Sequence, residues 1–318
     1  MKPHLLLLLG LAVPLARAAD TLDIAVVPMG ATHEFWKGVH AGALKAEREL
    51  GVDGIPVRVI WKGPLREDDR DQQIQVVENF VGRQVSGIVL APLDSRALVP
   101  PVEEAVSARI PVVIIGSALR SPLPASFVAT DNREGGRLGA RRLGALLGGK
   151  GKVILLRCQA GSSATEEREA GFLEVMRRDF PGIELISTDQ YGGATRDTAR
   201  RTSENLLNRF GAVVNGVFAS NESSATGMLL ALRDAGLAGG KVKFVGFDSG
   251  DTLLGGLKAG DIQGLVIQDP FAMGYLGVKT VVAAIRGEKV PAVIRTKLAL
   301  VTPENWNDPV IAGQLHPF

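Results

Sequence analysis

Short runs of β-branched and apolar residues recur along the chain, each followed by a polar stretch in which apolar positions return every three or four residues. The runs are "LDIAVVP", "VRVIW", "GIVLAP", "IPVVIIG" and "FVATD", then "KVILLRC", "IELIST", "GVFASN", "KFVGFDS" and "GLVIQDP". Strands that alternate with amphipathic helices predict βαβ units and parallel sheets. The first helix carries Trp36, Val39, Ala43, Ala46 and Leu50 on one face, with Gly51 as its stop. A second is predicted from about Asp71 to Gln84, burying Ile74, Val77 and Val81, and a third opens on Pro100 and Pro101, residues suited to a first turn.

The succession restarts after "FVATDNREGG", where "GKGKVILLRC" begins a second strand-helix series like the first. The pattern therefore predicts an α/β protein of two similar doubly wound parallel-sheet lobes. No Pro- or Ser-rich linker separates them, so a multi-strand hinge and a cleft are expected rather than tethered beads. A length of 318 residues also suits two domains of ordinary size.

Residues 1–19, "MKPHLLLLLGLAVPLARAA", have a basic start at Lys2, an apolar run from Leu5 to Val13 and small residues at Ala16, Ala18 and Ala19. That is the pattern of a cleavable signal peptide, and the run is well short of the roughly 20 residues that span a bilayer. Export with no membrane insertion of the processed chain is expected. Removing these residues takes away Lys2 and Arg17 and no acid, leaving 34 bases against 34 acids. Without a basic field, nucleic acid is excluded as a partner class. Cys158 is the single cysteine, so no intramolecular disulfide is available.

Parallel strands place ligand sites at their carboxyl ends. Reading those ends in order gives His33, Glu34, Phe35 and Trp36; Ala91 to Asp94; Gly116 and Ser117; Ser162 to Arg168; Tyr191; Asn221 and Glu222; Asp248; and Gln268 and Asp269. Planar polar groups, one guanidinium and aromatics together suit a sugar, whose hydroxyls both donate and accept and whose C–H face lies flat on a ring. Each residue also has a plainer reading. Trp36 fits the helix core, His33 a turn, Arg168 a helical pair with Glu166 or Glu169, Asp248 a turn, and Asn221 and Gln268 caps or loop bridges.

The segments "EFWKGVHAGA", "GIVLAP", "IPVVIIG", "VATDN", "AGSSATEEREAGF", "GVFASNE", "VGFD", "VIQDP" and "RGEKV" occur in one order across about Leu22 to Thr302. In that order they resemble the type I periplasmic sugar-binding proteins of ABC importers, the ribose-binding-like branch that shares its fold with the lac-repressor effector domain. The resemblance implies lobes over 20–130 plus 269–297 and over 131–268 plus 298–318. It places Phe35 and Trp36 where two aromatics sandwich the sugar ring and His33 where an asparagine touches it. Arg168, Asn221, Asp248 and Gln268 fall at the family's ligand arginine, asparagine, aspartate and glutamine.

Departures stand beside the matches. Gly116 and Ser117 replace an Asp-Arg pair, with Ser117 kept as a candidate contact; Ala91 replaces an asparagine; and Ala194 stands where a phenylalanine would stack, with Tyr191 as a substitute. An unmet hydroxyl in a dry cleft costs about 1–3 kcal/mol, which argues against ribose and for a larger or differently hydroxylated ligand. The implied function is capture of a sugar or polyol by hinge closure and delivery to ABC permease subunits, by a periplasmic monomer without cofactor.

Two rivals fare less well, and a third stays open. An enzyme is disfavoured because "PMGATHEFW" lacks the G-x-G-x-x-G turn, no P-loop, G-x-S-x-G or H-E-x-x-H occurs, and the four histidines, His4, His33, His40 and His316, are scattered. A transcription regulator would need a helix-turn-helix where the signal peptide stands. A sensing partner of a membrane receptor remains an alternative to import. No metal site is expected: the acidic run Glu67 to Asp71 lacks the calcium-loop pattern and reads as a helix start.

Overall fold

Two six-stranded sheets carry the chain, in a computed structural model that describes residues 20–30 and 34–315. The expected signal peptide, residues 1–19, and His33 lie outside the described residues. The first series runs β1 (Leu22–Val27), α1 (Glu34–Val52), β2 (Val57–Trp61), α2 (Arg70–Gly82), β3 (Gly87–Leu90), α3 (Val99–Ser107), β4 (Val112–Ile115) and β5 (Ser126–Ala129). The second runs α4 (Asn132–Leu146), β6 (Gly151–Leu156), α5 (Ser163–Asp179), β7 (Ile183–Ser187), α6 (Arg196–Phe210), β8 (Gly216–Ala219), α7 (Glu222–Asp234), β9 (Lys243–Phe247), α8 (Asp251–Lys258) and β10 (Gly264–Gln268). The chain ends with α9 (Pro270–Ile285), β11 (Val293–Arg295), β12 (Leu298–Val301) and α10 (Pro309–Leu315).

Strand order is β11-β5-β4-β3-β1-β2 in one sheet and β12-β10-β9-β8-β6-β7 in the other. All pairings are parallel except β10 with β12, which is antiparallel. β12 enters the second sheet directly from β11 of the first, through residues 296–297.

Periodicity located the helices well and their ends less well. Trp36, Val39, Ala43, Ala46 and Leu50 are buried in α1 as the spacing predicts. Gly51, however, is helical, and the chain turns at Gly54, whose φ of 78° suits a residue without Cβ. In α2 the buried face is Gln73, Val76, Val77, Phe80 and Val81, and Ile74 is only partly covered.

Three short segments pass between the sheets, at 130–131, 269 and 296–297. Two of them are helix caps. Asp131 Oδ1 accepts from Glu134 N–H at 3.0 Å and Asp269 Oδ1 from Ala272 N–H at 2.8 Å, so α4 and α9 each begin at a crossing. The crossings also bond to one another: Thr130 and Thr296 hydroxyls lie 3.1 Å apart, and Thr296 N–H donates to Ala129 carbonyl at 3.1 Å.

Glycines let paired helices approach to backbone contact. A Cβ on Gly136 of α4 would lie 1.8 Å from Arg168 carbonyl oxygen in α5, and one on Gly171 of α5 would lie 2.0 Å from Arg133 carbonyl oxygen. This approach matters for the site, because it fixes where Arg168 can point.

Candidate functional site

The carboxyl ends of both sheets face a common cavity. The first sheet's side supplies Met29 after β1, Phe35 and Trp36 in the first turn of α1, Glu67 between β2 and α2, and Gly116 after β4. The second side is polar: Cys158 and Gln159 after β6, Arg168 in α5, Asn221 and Glu222 after β8, Asp248 after β9 and Gln268 at the end of β10.

Arg168 organises the polar wall. It is 5 % exposed, its Nε donates to Asn132 Oδ1 at 2.9 Å and its Nη1 to Ser220 carbonyl at 3.0 Å, and its guanidinium carbon lies 3.9 Å from the centroid of the Phe247 ring. Asp248 Oδ2 stands 3.7 Å from Arg168 Nη1. The plainer reading of Arg168 fails: Glu166 instead accepts from Gly161 N–H and Glu169 pairs with Arg157.

Asp248 sits at φ 70°, an uncommon conformation for a residue with a Cβ. Three neighbours hold it there. Its backbone N–H donates to Val266 carbonyl, Oδ2 accepts from Glu222 N–H at 3.2 Å and Oδ1 from Gln268 Nε2 at 2.5 Å. Burial pushes the Asp248 carboxyl above its ordinary range, opposed by the adjacent Arg168. The guanidinium keeps its proton in proteins, so Arg168 favours the ionised carboxylate against the cost of burial. Each carboxylate oxygen has two lone pairs, so both retain capacity for a hydroxyl donor.

Asn221 is both site residue and cap. Its Oδ1 accepts from Ser224 N–H at 3.2 Å and opens α7, and its Nδ2 donates to Ser223 Oγ at 2.9 Å. Glu222 is buried, and Arg196 Nη2 donates to its Oε1 at 2.5 Å.

On the aromatic wall, both readings of Trp36 hold at once: it is 4 % exposed in the core cluster with Val39 and Ala43, yet lines the cavity. Phe35 lies in the first turn of α1. The two rings meet edge to face with centroids 4.9 Å apart, so a sugar ring has no room between them. The sandwich implied by the resemblance is replaced by a bent aromatic corner.

Other expectations change. Ser117 does not line the cavity; fully buried, its Oγ accepts from Ala164 N–H across the cleft at 3.2 Å. Tyr191 is no substitute for a stacking ring, since it packs on Arg157 at 4.7 Å and lines a separate surface depression with Thr202 and Arg209. Ala91 is buried off the cavity, its carbonyl accepting from Gln73. Of the small replacements Gly116, Ala91 and Ala194, Gly116 alone lines it, Ala194 being buried elsewhere.

Sequence reasoning missed Glu67. Its neighbours in the acidic run behave as a helix start, Asp69 Oδ1 accepting from Gln72 N–H at 2.9 Å, but Glu67 turns inward, 8 % exposed, and accepts from Trp36 Nε1. Its backbone carbonyl accepts from Gln159 Nε2 across the cleft at 3.2 Å. Period and charge carry no signal that one acid of four faces in. Cys158 also lines the cavity, and burial pushes its thiol pKa well up.

Residues 24–289 match the family model described as a periplasmic binding protein domain. The chain belongs to that family. Relatives of this periplasmic binding protein include a ribose import binding protein of Haemophilus influenzae, 31% identical over 93% of this chain and 96% of that one. A xylitol-binding protein of Mycolicibacterium smegmatis is 29% identical over 74% of this chain and 65% of its own length. Among solved structures, a carbohydrate transporter solute-binding protein of Agrobacterium radiobacter in complex with D-arabinose superposes with a TM-score of 0.87 at 36% identity, covering 94% of this chain and all of the other. A solute-binding protein of an ABC transporter from Agrobacterium vitis with bound D-fucose gives 0.87 at 33% identity, covering 92% and 100%. These likenesses extend to both lobes of this periplasmic binding protein, as its two-sheet order requires.

Proposed function

We propose that this chain captures a sugar or sugar-like polyol between its lobes and delivers it to an ABC importer. The observation that carries the reading is the pairing of opposite walls: the Phe35–Trp36 corner faces the Arg168–Asp248–Asn221–Gln268 set. Apolar ring faces take the C–H side of a sugar, while a buried guanidinium and carboxylate take hydroxyls as acceptors and donors. Relatives named for ribose or xylitol, and solved neighbours holding D-arabinose or D-fucose, support the ligand class.

The same reading makes the protein a binder rather than an enzyme, working as a monomer outside the cytoplasm after loss of residues 1–19. Among the described residues no helix is long and apolar enough to cross a membrane.

A thermal-shift panel on residues 20–318 with D-arabinose, D-ribose, D-fucose, D-allose, xylitol and myo-inositol tests it. A ligand at 100 times its Kd adds about 2.7 kcal/mol to the folded state. A dose-dependent rise with one or more of these supports the reading; no shift with any member rejects simple sugars and polyols of this panel.

A further inference from the structure

The first four N–H groups of a helix lack intrahelical partners, and a side-chain oxygen from the N-cap residue ordinarily supplies one. In the second lobe α4, α6 and α7 follow this rule, capped by Asp131, Thr195 and Asn221. The two other helices that start at the cleft do not. The N-cap residues Ser162 of α5 and Gly250 of α8 make no side-chain capping bond.

Their caps come from the other lobe. Ser117 Oγ, after β4, accepts from Ala164 N–H in the first turn of α5 at 3.2 Å. Glu34 Oε2, in the first turn of α1, accepts from Asp251 N–H, the first of α8, at 3.3 Å. Gly250 is shaped for this approach: a Cβ there would lie 2.4 Å from Glu34 Oε2. A parallel contact joins the lobes nearby, where Ser95 N–H donates to Gly161 carbonyl at 2.9 Å. Neither Ser117 nor Glu34 lines the cavity, so neither contact requires a ligand.

We propose that Ser117 and Glu34 are positioning residues for closure, each capping across the cleft a helix that has no cap of its own, and so populating the closed form independently of ligand contacts. When the lobes part, these N–H groups pass to water; when they meet, two side-chain oxygens replace it. A carboxylate at the positive end of α8 adds charge to the bond. The effect is a bias on the open-closed equilibrium, which any ligand of the closed form then inherits as apparent affinity.

Spin labels at Val52→Cys, the exposed last residue of α1, and Val213→Cys, exposed between α6 and β8, report the inter-lobe distance. Cys158 is 3 % exposed and stays unlabelled. Distance distributions are recorded without ligand and with D-arabinose. Ser117→Ala and Glu34→Ala each lower the closed-to-open ratio about fivefold, the factor a typical cap is worth, and the double variant by about the product. Glu34→Gln, which keeps an acceptor, retains most of the ratio. Thr195→Ala, which removes a cap within one lobe, lowers the melting temperature and leaves the ratio unchanged. An unchanged ratio in both single variants, or an open-only distribution in the unsubstituted protein, overturns the proposal. A silent sugar panel with an intact cap effect would reject the ligand reading alone.

Discussion

Asn132 Nδ2 donates to Gly116 carbonyl at 3.1 Å while its Oδ1 accepts from Arg168 Nε at 2.9 Å, so one side chain ties a backbone of the first lobe to the guanidinium of the second. Asn132 is the first residue of α4, directly after the crossing at 130–131. The orientation of Arg168 is therefore coupled to the hinge. Asn132→Ala removes both bonds without touching the cavity lining, and should weaken sugar binding about tenfold, about 1.4 kcal/mol at two hydrogen bonds of ordinary net worth. Calorimetric titration with the sugar found in the panel checks it.

Arg168→Ala leaves Asp248 buried without its cation, a change that costs about 3–5 kcal/mol of stability. Replacing both, Arg168→Met with Asp248→Asn, should recover much of that stability and still bind no sugar. Urea melts and titration calorimetry on the single and double variants separate the two effects.

Gly136→Ala sets a methyl group where Arg168 carbonyl now stands, and backbone cannot give way as a flexible side chain can. A loss of about 3 kcal/mol, at the upper end of overpacking costs, is expected in urea denaturation.

Of three tryptophans, Trp36 alone lines the cavity among the described residues, with Trp61 and Trp306 elsewhere. Ligand-dependent fluorescence should be lost in Trp36→Phe and kept in Trp61→Phe. Emission titrations with D-arabinose and the other panel members check this.

Burial raises the Glu169 carboxyl, opposed by its bond from Arg157, and burial likewise raises Asp248. A folded-state pKa above the unfolded value means the folded protein holds more protons in the window between the two. These groups' contribution to stability therefore rises as pH falls from neutral toward the ordinary carboxyl range. Relative to Glu169→Gln, the unsubstituted protein should gain stability between pH 7 and pH 5, measured by denaturant midpoints.

Much of this protein was legible in the order of its residues. Alternating β-branched runs and three-to-four spacing determine strands, helices and their buried faces, because burial of Val26, Val39 or Val77 is a local consequence of period. Strand-end position brought Phe35, Trp36, Arg168, Asn221, Asp248 and Gln268 forward, since parallel sheets gather their carboxyl ends into one place. What a side chain does when it arrives was decided by the partner lobe. Glu67 shares its charge run with Asp68 and Asp69 yet turns toward Trp36; Ser117 reaches Ala164, 47 residues away in sequence; and Glu34 reaches Asp251, 217 residues away. Tyr191, in a suitable place by spacing, was drawn off by Arg157. Period reports which face of an element is buried, a one-dimensional property of the chain. The partner of a hydrogen bond across the cleft is set by how two separately folded sheets meet, and that geometry exists only in three dimensions.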